Sequence, residues 1–347
     1  MKTEAFGSIQ SGKKATLYIL ENKNHTVVKV TDFGATLVSV LFADKDGVMK
    51  DMVLGYDDAA SYEKGTSCFG ATIGRNGNRI KDARFTIDSK EWVIEANENN
   101  NSLHSGKNGF NHLMWEMKES GDNYVTFYHY SPQEEQGFPG NMHVTVTYTL
   151  DDEDTVHITY HAKADADTVM NFTNHSYFNL AGHDSGVMLD QKLQLFADAY
   201  TPDEDSHSIP TGEIAPVAGT PMDFTEMKPI GRDIQEDYQA LKYGNGYDHN
   251  WALNHPAGEL SLSEKAEDEK TGRTMEVYTD LPGVQFYTAN SLKTERGKNH
   301  AVYTPRCGYC FETQYFPDAI NKPEFASPVI KAGEEYKTTT IYKFGVK

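Results

Sequence analysis

Five short segments hold polar and ionisable residues where a strand core would take apolar ones, and each offers a different piece of chemistry. Gly74-Arg75-Asn76-Gly77-Asn78-Arg79-Ile80 joins glycines, which permit tight turning, to Asn78 and Arg79, whose donors sit at fixed angles. That suits a clamp on sugar hydroxyls, and equally an ordinary polar turn. Asn101-Ser102-Leu103-His104-Ser105-Gly106 and Asn171-Phe172-Thr173-Asn174-His175-Ser176-Tyr177-Phe178-Asn179 each set a histidine among amides and hydroxyls. Such neighbours orient an imidazole and fix which nitrogen carries the proton, for catalysis or merely for structure. The two histidines lack the helical i, i+4 spacing of zinc proteases, and spacing reveals no third ligand, so no metal site is expected. Gly244-Asn245-Gly246-Tyr247-Asp248-His249-Asn250-Trp251 places a carboxylate beside aromatics in a glycine-rich loop, the mixture that carbohydrate sites use. In Tyr309-Cys310-Phe311-Glu312-Thr313-Gln314-Tyr315-Phe316-Pro317-Asp318, Glu312 stands among apolar neighbours; burial would raise its pKa towards a general base's range, whereas an edge-strand glutamate would face solvent. Cys307-Gly308-Tyr309-Cys310 matches C-x-x-C, but neither a βαβ setting nor a second ligand pair accompanies it.

The elements that must position these residues are strands. From Met142 to Leu150, Val144, Val146, Tyr148 and Leu150 fall on one face, and His143, Thr145, Thr147 and Thr149 on the other. Val156, Ile158 and Tyr160 repeat the pattern after the acidic turn Asp151-Asp152-Glu153-Asp154, which predicts a hairpin. Further strands are predicted at Thr26 to Val30, Tyr124 to Tyr130, Leu193 to Ala197, Glu276 to Thr279, Gln285 to Thr288 and Thr338 to Phe344. Helical periodicity is confined to short stretches near Asp57 to Tyr62 and Gly231 to Leu241, too few for a parallel α/β fold. The expectation is an all-β fold, a large antiparallel β-sandwich, with ligand groups spread across one face.

At 347 residues, 38% hydrophobic and 24% charged, the chain can bury a sizeable core. Against 51 acidic residues stand 32 basic ones, a net charge of −19 that repels nucleic acid and anionic membranes and favours a neutral ligand. Three cysteines do not make a disulfide framework, no signal-peptide core follows Met1, and no run nears the ~18 apolar residues of a membrane span, so a cytoplasmic protein is expected.

Taken in order, Gly74 to Ile80, Asn101 to His104, Thr173-Asn174-His175-Ser176-Tyr177-Phe178-Asn179-Leu180, Gly246-Tyr247-Asp248-His249, Pro282-Gly283-Val284-Gln285-Phe286-Tyr287-Thr288-Ala289-Asn290 and Glu312 to Asn321 closely resemble the aldose 1-epimerase (galactose mutarotase) family. The resemblance implies one galactose mutarotase-like β-supersandwich domain over residues 1–347 that interconverts the α and β anomers of free hexoses. Carried over by position, His175 looks like the general acid and Glu312 the general base, with Asn78, Arg79, His104, Ser176, Tyr177, Asp248 and Gln285 as substrate-binding residues. Gly77 departs from the alanine of many members, and Ser105 from a common glycine. No cofactor is implied; the surface carboxylates leave room for a structural cation such as calcium, for which no motif is found. The partner is a small sugar, with no nucleic acid and no membrane, and the assembly a monomer or weak homodimer.

Anomer interconversion opens a hemiacetal. A base takes the proton of the C1 hydroxyl while an acid protonates the ring oxygen, and closure on the other aldehyde face reverses both transfers. Each group acts in both directions, which leads us to expect pKa values near neutrality for both. A glycoside hydrolase using Glu312 with Asp248, a non-catalytic carbohydrate-binding protein and a hexose-6-phosphate epimerase are the rival readings.

Overall fold

The computed structural model describes residues 1–347. Its largest unit is a nine-stranded antiparallel sheet whose third and fourth strands are the predicted hairpin, Met142–Leu150 and Thr155–Ala164, in the register Met142 opposite Ala164 and Leu150 opposite Val156. The C-terminal strand Glu335–Val346 lies between this hairpin and Arg273–Thr279. Alternation decides which side chains are buried: Val144, Val146, Tyr148, Ile158, Tyr160 and Tyr342 all turn into the main core.

Packed against that face is a six-stranded sheet in the spatial order Tyr177–Phe178, Tyr309–Gln314, Gly283–Tyr287, Asp248–Ala252, Ala199–Thr201, Ala215–Pro216. Trp251, Val284, Phe286, Tyr309 and Phe311 point into the shared core. Thr313 Oγ1 lies 2.5 Å from Thr340 Oγ1 on the nine-stranded sheet, and Tyr342 donates its hydroxyl to the Phe311 carbonyl. With one face of these strands committed to the core, Asp248, Gln285, Tyr287, Cys310, Glu312 and Gln314 must occupy the other. A five-stranded layer, Lys2–Ser8, Lys14–Glu21, Val27–Thr31, Thr36–Ala43 and Met49–Asp51, contributes to a second core in which Phe6, Leu17, Tyr56 and Phe69 join Tyr177 and Cys310.

The expected strands are all present, though Leu193 to Ala197 is shifted to Lys192–Leu195. Of the expected helices, the first is Ala59–Lys64, started by Asp58, whose carboxylate accepts the Ser61 N–H. The second is displaced to Gln239–Gly244, because residues 231–238 satisfy their backbone in successive turns, as in Arg232 N–H to Pro229 and Glu236 N–H to Asp233. No helix is long and apolar enough to cross a membrane.

Candidate active site

Eight of the nine residues expected at the site line one cavity of about 530 Å³ over the outer face of the six-stranded sheet: Asn78, Arg79, His104, His175, Tyr177, Asp248, Gln285 and Glu312. A larger surface groove of about 760 Å³ beside the N-terminus, lined by Glu21, Asp122 and Asp151 to Glu153, holds none of them. Ser176 is the exception. It alternates with His175 and Tyr177, so its side chain turns away, and its hydroxyl donates to Asn174 Oδ1.

His175 follows the strand Thr173–Asn174 and is pinned from both sides: its N–H donates to Ala71 and its carbonyl accepts from Gly70. Its ring stacks on Tyr177 at 5.1 Å. Nδ1 lies 3.5 Å from Cys310 Sγ, and Nε2 lies 3.5 Å from Glu312 Oε1. The other oxygen of Glu312, Oε2, is buried with no partner. Burial penalises the charged form of each group, so Glu312 is pushed up to about 8, further raised by Asp248 and opposed by Arg79, while His175 is pushed down to about 4. The expectation of near-neutral values for both is corrected here: loss of solvent moves an acid and a base in opposite directions.

Asn78, at a left-handed φ of 60°, accepts the Arg79 N–H on its own Oδ1. Its N–H donates to His104 Nδ1 at 3.1 Å, so the neutral His104 ring keeps its proton on Nε2. Burial, with His175 and Arg79 adding to it, holds His104 well below its ordinary pKa and hence neutral. Ligand atoms of His104, His175 and Glu312 fall within 4.8 Å of one another, so a third candidate metal ligand does exist in space although spacing did not reveal it. The hydrogen bond to Nδ1 and the proton on Nε2 suit His104 better to donating than to ligating. Ser105 gives its departure from glycine a use: its Oγ accepts the Asn76 N–H at 2.8 Å and donates to the Asn76 carbonyl, tying the two loops together. At Gly77, the other departure, a Cβ would stand 3.0 Å from the Thr173 methyl.

Arg79 is gripped by Glu98 through Nε at 2.5 Å and Nη2 at 3.1 Å. Asp248, whose carboxyl burial raises and Arg79 lowers, accepts from Gln285 Nε2 at 2.8 Å. Glu98, Cys68 and Tyr287 also line the cavity and were missed from the sequence. Only Tyr287 carried a signal, since it shares the period-two face of Gln285.

An aldose 1-epimerase family model matches residues 16–343. The chain belongs to the aldose 1-epimerase family. Galactose mutarotase of Mus musculus is 41% identical over 342 residues, covering 98% of this chain and 97% of that protein. Aldose 1-epimerase of Escherichia coli (strain K12) is 35% identical over 335 residues, 96% of each. Among solved structures, the GalM/aldose epimerase homologue from C. elegans superposes with a TM-score of 0.88 at 27% identity, covering 96% of this chain and 99% of that one. This aldose 1-epimerase is therefore an isomerase that interconverts anomers.

Proposed function

We propose that the enzyme interconverts the anomers of free hexoses such as galactose and glucose, with Glu312 as general base and His175 as general acid, and with no cofactor or metal in the chemistry. The observation that supports the assignment is the 3.5 Å approach of His175 Nε2 to Glu312 Oε1. The C1 hydroxyl and the ring oxygen are bonded to the same carbon, so an acid and a base serving both must stand close together in one cavity, each within hydrogen-bond reach of its own oxygen. Burial, which disfavours both charged forms, puts the pair's one proton on Glu312 at neutral pH. The working form, imidazolium and carboxylate, holds the same number of protons and is reached by moving that proton across the gap. A C1 hydroxyl donating to Glu312 favours its ionised form and pushes the proton towards His175. His104 Nε2–H, Asn78, Arg79, Tyr177, Asp248 and Gln285 then hold the ring where both transfers are possible.

The free-sugar reading has a charge argument of its own. Arg79 is already paired with Glu98 and His104 is neutral, so the unpaired cations a phosphate would meet in this cavity are Lys64 and Lys107, not the groups around His175 and Glu312. Polarimetry of fresh α-galactose, α-glucose and their 6-phosphates tests it. His175→Ala and Glu312→Gln should each lose ~10² to 10⁴ in turnover while remaining folded. A rate equal to the parent's in either variant would overturn that residue's role.

A further inference from the structure

Gln314 is fully buried, lies outside the cavity lining and takes no part in proton transfer, yet its amide reaches both sugar-facing amides. Its Nε2 lies 3.4 Å from Gln285 Oε1 and 3.1 Å from Asn250 Oδ1, and its Oε1 receives Asn78 Nδ2 at 3.4 Å. The direction of this chain is fixed from both ends. At one end the Asp248 carboxylate only accepts, so Gln285 must present Nε2 to it and keep Oε1 for Gln314. At the other, the Arg79 N–H only donates, so Asn78 must present Oδ1 to it and Nδ2 to Gln314. Gln314 alone joins the two ends; turning its amide over would set oxygen against oxygen at Gln285 and Asn250 and nitrogen against nitrogen at Asn78.

The sheet is built to admit this contact. Asn250 and Gln314 sit on strands separated by Gly283–Tyr287, and the residue paired with Gln314 on that middle strand is Gly283. A Cβ at Gly283 would come 2.7 Å from Asn250 Oδ1, so the missing side chain is what lets the amide reach across.

We propose that Gln314 is a positioning residue for sugar binding: it holds Asn78 and Gln285 in the orientations that the Arg79 N–H and Asp248 select, and so keeps in place the pattern of donors and acceptors that the sugar meets. The proposal rests on the reading of Asn78 and Gln285 as sugar-binding residues, and the experiment separates the two. Gln314→Met removes the polar contacts, and Gln314→Glu keeps the size but, with at most one proton where the amide has two, cannot donate to both Gln285 and Asn250. Each should raise KM for galactose by about tenfold with kcat within about threefold of the parent, since only binding contacts are disturbed. Gln285→Leu should raise KM similarly, and adding Gln314→Met to it should raise KM by less than about threefold more, because both changes break one chain. A KM within about twofold of the parent's in the Gln314 variants, or a loss confined to kcat, overturns the proposal. If Gln285→Leu raises KM and the Gln314 variants do not, Gln314 alone is misassigned; if Gln285→Leu also has no effect, the binding reading fails. Melting followed by circular dichroism accompanies each assay. If Gln314→Met does not fold, Gln314→Glu carries the same KM criterion, and unfolding of both overturns the proposal by marking Gln314 as purely structural.

Discussion

Varying pH in the free enzyme probes the His175–Glu312 pair most directly. Burial separates the two groups by about four pH units, Glu312 at about 8 and His175 at about 4. At about 1.4 kcal/mol per unit, the imidazolium–carboxylate form lies at most about 5 kcal/mol above the form with the proton on the carboxyl, a gap narrowed by the attraction of the two charges and offset further by the bound sugar's hydrogen bonds. Both forms carry one proton, so their ratio does not depend on pH. The expected kcat/KM profile is accordingly level between about 4 and about 8. It falls below about 4, where both groups are protonated, and above about 8, where neither is. Polarimetry at low substrate, corrected for the uncatalysed rate at each pH, measures it. In Glu312→Gln the residual rate should lose the limb near 8, because the amide no longer titrates there. A limb near 6.5, the value of a solvated histidine, would refute the reasoning. So would a limb near 8 that survives in Glu312→Gln.

Glu98→Gln should leave Arg79 with a weaker partner and raise KM by about threefold to tenfold with little change in kcat, read from the same progress curves. Cys310→Ser keeps a small polar group beside His175 Nδ1, so turnover should stay within about threefold of the parent; a collapse would restore significance to the Cys307 and Cys310 pair. Phe286, fully buried with its ring near those of Tyr247, Trp251 and Phe311, should cost about 3–5 kcal/mol when changed to Ala, measured by denaturant unfolding.

How far the sequence discloses this molecule depends on which physical constraint acts on each part. The hairpin of Met142–Leu150 and Thr155–Ala164 is legible because one face of each strand is more buried than the other. Thr36–Ala43 is not, since five successive residues are buried and alternation vanishes. Elsewhere in the N-terminal layer Lys2–Ser8 is almost wholly exposed, so it too lacks a buried face to read from the sequence. The site motifs are legible because asparagine, histidine and glutamate are out of place in a strand core. Their convergence is not, because His104, His175 and Glu312 meet only through sheet pairing between distant segments. Glu98 carried no signal: a glutamate in a polar loop is ordinary until Arg79 is found beside it. Ser176, expected at the site from the resemblance, lies outside the cavity lining because neighbouring residues in extended chain point apart.

The strand Tyr309–Gln314 shows what that alternation demands of the whole enzyme. Phe311 and Thr313 hold the two sheets together from one side, and Glu312 and Gln314 serve the cavity from the other. Deleting a single residue upstream in this ribbon would exchange the two sets, sending a carboxyl into hydrocarbon and a phenyl ring into the sugar's place. This strand therefore leaves little room for insertion or loss, since the same shift would disturb the core and the cavity together.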